Sequence, residues 1–336
     1  MTAAAGAKAP LAQRVYRLLS DQRLHSAAAL AARCRVSRSA VAKAIATLRE
    51  LGVAVESVPR RGYHWPQATA LLDARRIRDA LPAAVAARLR HGETRWSTGS
   101  TNLDLLARFD LTPGRFDFLA VEYQSAGRGR RTRSWLAPPG GAICLSIGWS
   151  FANLPAGIGA LSLAIGVCAL RALRNCGVSG IELKWPNDLV SAAGKLGGIL
   201  AELRSDPGGP AYVVIGLGLN VALGAAVLER IAAGGTVATD LATLSSTRAD
   251  RNAIAAALIA EIIGGLCQFE RDGFGAFIDE WRGADALAGK PVRVSLEASS
   301  VAGHARGIDT DGALCVQTRD GIQRFTSGDA SVRTAM

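Results

Sequence analysis

The chain has 336 residues and carries 39 Lys+Arg against 28 Asp+Glu. At about 150 residues per domain its length predicts two or three domains, and a hydrophobic content of 49% excludes global disorder. The six cysteines (Cys34, Cys144, Cys168, Cys176, Cys267, Cys315) form no CxxC pair or His/Cys cluster, so neither a structural zinc site nor a disulfide framework is expected, and the cytoplasm is the expected compartment.

No continuous apolar run precedes Arg14 and Arg17, so no secretory signal is expected. Residues 10–20 predict a helix with Leu11, Val15, Leu18 and Leu19 on one face. Ser26 caps a short helix over 26–33, and Cys34-Arg35-Val36 makes a tight connection. Ser37 then begins a helix over 37–51, with Val41, Ile45, Leu48 and Leu51 as a buried stripe. Its other side carries Ser39, Lys43 and Thr47 at i, i+4 spacing, with Arg38 beside them. Short helix, tight turn, longer helix is the helix-turn-helix arrangement. Val53 and Val55 alternate with smaller or polar residues, Pro59–Gly62 form a turn, and Tyr63 and Trp65 return, which reads as a wing. Arg60 and Arg61 at its tip suit phosphate contact.

Residues 1–66 hold 11 Lys+Arg against three acids, which is +8 of the chain's +11. That asymmetry points to a polyanion, and operator DNA is the expected partner of Ser37, Arg38, Ser39, Lys43, Thr47, Arg60 and Arg61. Charge alone does not separate this from an Arg-rich composition, and a winged helix also serves as a protein-docking module.

Residues 67–72 read as a short connection, followed by mixed strands and helices to about residue 285. The segment 96–102 offers hydroxyls and an amide before a helix over 101–108, which by itself is an ordinary N-cap signal. A strand over 116–124 runs into a loop, 125–135, that holds four Arg and two Gly. A dinucleotide fingerprint fails here, because Thr132 stands where Gly is needed and no acid lies about 20 residues on. A solvated basic loop and a phosphate-binding loop built on guanidinium groups both fit.

From Trp135 to Leu170 no residue is charged. A membrane span needs about 20 continuous apolar residues. Here Pro and Gly cut the stretch into a turn, a strand over 142–151 and a helix over 156–175, so no membrane association is expected.

In KWPNDL (184–189), Pro186 ends a strand and presents Asn187 and Asp188 at a turn. In GKLGGILAEL (194–203), Lys195 lies between Gly194 and Gly197-Gly198, where a ligand can approach the backbone; the alternative is a surface turn residue. Walker A chemistry is excluded because Leu196 follows Lys195. Only five Lys stand beside 34 Arg, and two of them fall in these segments, which hints at a need for ammonium geometry. A strand over 211–221 alternates Gly216, Gly218 and Asn220, which leaves one face nearly bare.

GSTN (99–102), EYQSAGRGRR (122–131) with Trp135, KWPNDL, GKLGGIL and GLGLN (216–220) occur in the order and spacing of the biotin protein ligase family. SRSAVAKAIATLRELG and VPRRGY resemble the winged helix of its bifunctional members, the biotin operon repressors of the BirA type. The resemblance covers nearly the whole chain and implies an α+β protein. Its parts are a winged helix-turn-helix domain (1–66), a mixed α/β ligase domain related to class II aminoacyl-tRNA synthetases (67–285) and a small SH3-like β barrel (286–336). It further implies that biotin and ATP with Mg²⁺ give biotinyl-5′-adenylate, from which biotin passes to a lysine of the biotin carboxyl carrier domain of acetyl-CoA carboxylase. A homodimer is implied when the adenylate is bound.

By resemblance, Lys195, Arg130 and Arg133 are the catalytic cations, and they also meet the nucleotide. Ser100, Thr101 and Gln124 hold the ureido ring, and Asn102 belongs to the biotin site. Gly127, Arg128 and Gly129 belong to the loop that folds over biotin, and Trp135 walls its chain. Asn187 and Asn220 contact adenine, while Gly198 and Gly216 leave room for the ligand. The metal ligands are not assigned. Two departures stand out. Thr132 replaces a glycine usual in the loop, and 221–240 contain no aromatic residue where some members cover the adenine with Trp. Two other readings are a ligand-responsive repressor without ligase activity and a ligase for lipoate or octanoate.

Overall fold

The structure, a computed structural model, describes residues 9–67, 69–108, 112–131, 133–205, 210–245, 250–296, 299–326 and 331–334. Thr132, singled out above, lies outside them.

The N-terminal periodicities become α1 (Leu11–Leu19), α2 (Ala27–Cys34) and α3 (Arg38–Glu50). Ser26 and Ser37 cap α2 and α3, each accepting a hydrogen bond of 3.1 Å, from the Ala29 and Ala40 amides. Arg35 takes a left-handed conformation (φ 51°) and closes α2. Val41, Ile45 and Leu48 are buried as expected, but Leu51 is only half-buried and Ala44 fills the stripe. In α1, Tyr16 takes the buried place expected of Leu18. The wing is a short antiparallel pair, β1 (Glu56–Val58) and β2 (Gly62–His64).

The connection after the wing is anchored along its length. Tyr16 stacks edge-on against Trp65 and Trp96, with centroids 4.7 and 5.3 Å apart. Its hydroxyl meets Thr69, whose own hydroxyl donates to the Gly140 carbonyl at 3.0 Å. Next come α4 (Ala74–Asp79) and α5 (Ala83–Ala86).

The central sheet has seven strands in the order β3-β4-β5-β9-β8-β7-β6. They are β3 (Leu89–Thr98), β4 (Phe116–Gln124), β5 (Ala142–Phe151), β6 (Glu182–Lys184), β7 (Asp188–Ser191), β8 (Gly194–Ser205) and β9 (Ala211–Asn220). β3 and β4 run parallel, and the other neighbours are antiparallel.

Further helices follow among the described residues: α6 (Thr101–Ala107), α7 (Leu161–Asn175), α8 (Ala225–Ala233), α9 (Leu241–Leu244), α10 (Arg251–Asp272) and α11 (Ile278–Gly283). A 3₁₀ turn, Ile158–Ala160, opens the helix expected over 156–175. α7 and α10 are apolar enough to cross a membrane by composition, but they pack on each other and most of their apolar windows are buried. On β5 the period of two divides the faces. Ile143, Leu145 and Ile147 join the core under α7 and α10, whereas Cys144 and Ser146 face α6. On β9, Gly216 and Gly218 pair with Ser146 and Cys144, so the bare face lies beside them.

Two local readings change. Asp188 opens β7 instead of standing in the turn with Asn187. Lys195 is the second residue of a strand, not a turn residue, because the 236–239 segment pairs with it: Lys195 N–H donates to Val237 O, and Thr239 N–H to Lys195 O, both at 2.9 Å.

The C-terminal residues form a five-stranded antiparallel sheet in the order β13-β12-β11-β10-β14. Its strands are β10 (Pro291–Ser295), β11 (Ser300–Ile308), β12 (Leu314–Thr318), β13 (Gly321–Phe325) and β14 (Ser331–Thr334). Val292, Val294, Leu314 and Val316 merge with the core under α7 and α10.

Candidate active site

The bare face of β9 forms the floor of a cavity of about 670 Å³. Ser100, Thr101 and Asn102 reach it from the start of α6, and Gln124 from the end of β4. Arg128, Gly129, Arg130, Arg133 and Trp135 come from the basic loop. Asn187, Lys195, Gly198, Gly216 and Asn220 complete the expected set. Gly127 is the exception: it lines a smaller neighbouring hollow under the loop.

One end of the cavity is polar and nearly closed. Ser100, Thr101 and Asn102 are each 3% exposed. Gln124 Oε1 accepts from the Thr101 amide at 2.8 Å. Ser146, fully buried on β5, stands 2.6 Å from both Thr101 Oγ1 and Asn102 Oδ1. Asn102 Nδ2 donates to Leu200 O at 3.1 Å and to Glu202 Oε2 at 2.8 Å. Glu202 Oε1 in turn accepts from Arg128 at 2.9 Å. Sequence reasoning missed Ser146 and Glu202. Ser146 is a lone hydroxyl in an apolar strand and Glu202 the one acid of GKLGGILAEL, which are weak signals.

The glycines have specific neighbours. A Cβ at Gly216 would overlap the Asn102 amide, so the space expected for a ligand is filled by Asn102. A Cβ at Gly218 would overlap the Trp135 indole, so Gly218 lets the ring lie on the sheet. At Gly198 a Cβ would meet Lys195 Nζ at 3.4 Å and Asp188 Oδ1 at 3.5 Å, in ordinary contact. Beneath Trp135 and Gln124, burial pushes the Cys144 thiol up to about 12, so it stays protonated and is no nucleophile.

The other end is cationic. Lys195 Nζ lies 2.7 Å from Asp188 Oδ1 and 6.0 Å from the Trp135 ring centroid. Arg130 is lowered from its ordinary value by burial and then by Arg131, against the pull of Asp188, with Arg133 adding to the lowering. No hydrogen bond joins the Arg130 side chain to another described residue. Crowded guanidinium groups of this kind favour an anion between them. Arg131, not anticipated as a site residue, lines the cavity and donates to Ser295 O at 3.2 Å, which ties the loop to the C-terminal sheet.

Near Lys195, Asn220 Nδ2 donates to Thr239 O at 2.9 Å and its Oδ1 is buried without a partner among the described residues. Asn187 Nδ2 donates to Ile199 O at 2.6 Å. The 221–240 stretch brings Arg230, Ile231, Gly234, Thr236 and Ala238 to the mouth, where no aromatic residue stands.

In the winged helix, Arg38, Ser39, Lys43 and Thr47 are exposed along α3, and Arg60 and Arg61 are exposed at the wing. Ser37 is committed to the cap and shares a 2.8 Å hydrogen bond with Ser39. Arg14 and Arg49 are used internally, on the Cys34 and Val55 carbonyls.

The Biotin/lipoate A/B protein ligase family description matches residues 109–220, the biotin protein ligase C-terminal domain residues 288–333, and a helix-turn-helix domain residues 11–64. The bifunctional ligase/repressor BirA of Salmonella typhimurium is 38% identical over 95% of this chain and 96% of its own. The chain belongs to the biotin protein ligase family. The bifunctional ligase/repressor BirA of Escherichia coli is 36% identical over 96% of this chain and 97% of its own. The Aquifex aeolicus biotin protein ligase, solved with biotin and ATP, shares the fold with a TM-score of 0.61 and 24% identity, over 73% of this chain and all of that one.

Proposed function

We propose that the chain is a biotin protein ligase and a biotin-dependent transcriptional repressor. One observation carries the reading: five motifs spread over residues 99–220 converge on one cavity, polar at one end and cationic at the other. The polar floor of Thr101, Asn102 and Gln124 suits the ureido ring, and Trp135 the apolar chain. A dithiolane ring offers that floor no hydrogen-bonding edge, which disfavours lipoate.

In the first step a biotin carboxylate oxygen attacks the α-phosphorus of ATP. The bond to the bridging oxygen breaks, and pyrophosphate leaves. Negative charge grows on the α-phosphate oxygens, so fixed cations act there. Lys195, Arg130 and Arg133 supply them, with Lys195 nearest the carboxylate and Asp188 holding its ammonium. In the second step a deprotonated lysine of the biotin carboxyl carrier domain of acetyl-CoA carboxylase attacks the acyl carbon. AMP leaves, and the amine loses a proton. Asp188, the one carboxylate among the described lining residues, would hold Mg²⁺ brought with ATP, and the ion would offset part of the phosphate charge. Asn220 and Asn187 lie at the adenine end, where Arg230 and Ile231 stand in place of an aromatic cover.

Under this reading residues 1–66 are a winged helix-turn-helix domain, 67–285 a catalytic domain of class II aminoacyl-tRNA synthetase type, and 286–336 an SH3-like barrel. α3 presents Arg38, Ser39, Lys43 and Thr47 to operator DNA, and Arg60 and Arg61 contact phosphates. The adenylate orders the basic loop and favours a homodimer in the cytoplasm, which places two winged helices on a palindromic site. Biotin-dependent exchange of labelled pyrophosphate into ATP tests the first step without knowledge of acceptor or operator. Its absence refutes the ligase. Gel-shift titration tests the second role: biotin with ATP tightens operator binding, and an unchanged shift refutes repression.

A further inference from the structure

We propose that Arg230, on the cavity face of α8, covers the adenine ring with the plane of its guanidinium group and so sets how tightly the nucleotide is held. The inference deepens the proposed function and rests on its reading of the cavity as a site for biotin and ATP.

Val227, Arg230, Ile231 and Gly234 stand at i, i+3, i+4 and i+7, which is one face of a helix. Val227 seats that face in the protein at 3% exposure, and Arg230, Ile231 and Gly234 line the cavity. An arginine thus stands where the helical pattern calls for an apolar residue. No hydrogen bond or ion pair joins its side chain to another described residue. Asp188, the one carboxylate among the described lining residues, is taken by Lys195 at 2.7 Å.

The phosphate cations form a separate group. The charges that act most on Arg130 are those of Arg131, Asp188 and Arg133. Arg230 comes instead from the wall that follows Asn220, where β9 ends and α8 begins. Asn220 Nδ2 is held by Thr239 O at 2.9 Å and by Lys195 O at 3.3 Å, which fixes the amide. Its Oδ1 is left buried without a partner among the described residues. An exocyclic amino group on a base supplies the N–H that this acceptor lacks.

A purine beside Asn220 is flat, and its outer face would be wetted at the mouth. Among the lining residues from 230 to 238, Ile231, Gly234, Thr236 and Ala238 offer no planar group, whereas Arg230 offers a long stem and a plane. A guanidinium stacks on aromatic rings because it is planar and weakly hydrated, which an ammonium is not. Shape, more than charge, is what separates this role from phosphate contact.

Arg230→Ala, Arg230→Trp and Arg230→Lys in the full chain test this. With saturating biotin, calorimetry would measure α,β-methylene-ATP, which cannot be cleaved at the reacting bond. Inorganic tripolyphosphate serves as a ligand with charge but no base. Arg230→Ala is expected to weaken the ATP analogue by about tenfold and tripolyphosphate hardly at all. In pyrophosphate exchange the loss should appear mainly in KM for ATP. Arg230→Trp should restore binding, because it keeps a stacking plane, and Arg230→Lys should not, because it keeps only the charge. Thermal unfolding monitors the fold. The inference alone would be overturned by unchanged binding in Arg230→Ala, by rescue with lysine and not tryptophan, or by equal weakening of both ligands. Wild-type protein that binds neither ligand would overturn the nucleotide-site reading, and the inference with it.

Discussion

Lys195 lies 2.7 Å from Asp188 and looks across the cavity at the Trp135 ring. Under the proposed function this paired ammonium faces charge that develops only during adenylation. Lys195→Ala is expected to lower pyrophosphate exchange by about 10²–10³ while the fold survives, as for removal of one electrostatic stabiliser. Steady-state kinetics with circular dichroism checks it. Gly218 is a packing requirement of a different kind. Gly218→Ala puts a methyl into the Trp135 indole, at a cost of about 1–3 kcal/mol in displaced packing. The expected result is weaker biotin binding by calorimetry together with altered Trp fluorescence. The residue types at both positions were visible in the sequence. Asp188 as the partner of Lys195, and the Trp135 ring above Gly218, were not: the first depends on the register of the neighbouring strands β7 and β8, the second on how the basic loop folds back over β9.

At the scale of the element, the helices were the most legible parts. α3 declares itself through Val41, Ile45 and Leu48 at helical spacing and through Ser37 at its cap. Its Ser37 hydroxyl holds the Ala40 amide at 3.1 Å. Ser37→Ala should destabilise the winged helix by about 1 kcal/mol. Ser37→Asp should keep that stability, since a carboxylate also caps, but weaken DNA binding by adding negative charge near phosphates. Urea denaturation and filter binding separate the two effects. β8 was less legible. Its glycines disfavour a strand locally, and it exists because β9 and the 236–239 segment take up its backbone groups.

At the scale of the molecule, the segment that read as a short connection is a seam. Leu72 N–H donates to Glu122 Oε1 at 2.7 Å, and Arg251 to the Ala70 carbonyl at 2.6 Å. Glu122 and Arg251 are 2.8 Å apart and almost wholly buried. Burial alone would lower Arg251; the Glu122 carboxylate holds it above its ordinary value. An ion pair so deep is tolerated because backbone groups bind the Glu122 carboxylate and the Arg251 terminal nitrogens; Arg251 Nε alone is buried without a partner among the described residues.

A second junction lies where the central and C-terminal sheets meet. Burial raises the Asp285 carboxyl from its ordinary 3.8 to about 6; the Leu287 amide opposes this, Glu182 adds to it and Lys290 opposes it. Its Oδ2 has no partner among the described residues. Between about pH 3.8 and 6 the folded chain keeps a proton that the unfolded chain has lost. Stability therefore falls as pH rises through that window, and the loss persists above it. Asp285→Asn should raise Tm at pH 7, and the gain should vanish towards pH 4 in a thermal-melt series.

Most of the residues that line the cavity were named through resemblance to a family. The sequence by itself determined the winged helix, the apolar helices that cover the sheet and the basic loop. Those follow from local rules: helical period, capping, turn chemistry and charge density are all readable within some twenty residues. Only the tertiary structure decided which side chains hold each other. Ser146 on β5, Glu202 on β8 and Asn102 on α6 share one hydrogen-bonded floor because strands far apart in the chain lie side by side in the sheet. Donor and acceptor roles depend on those neighbours, and no spacing along a single strand encodes them.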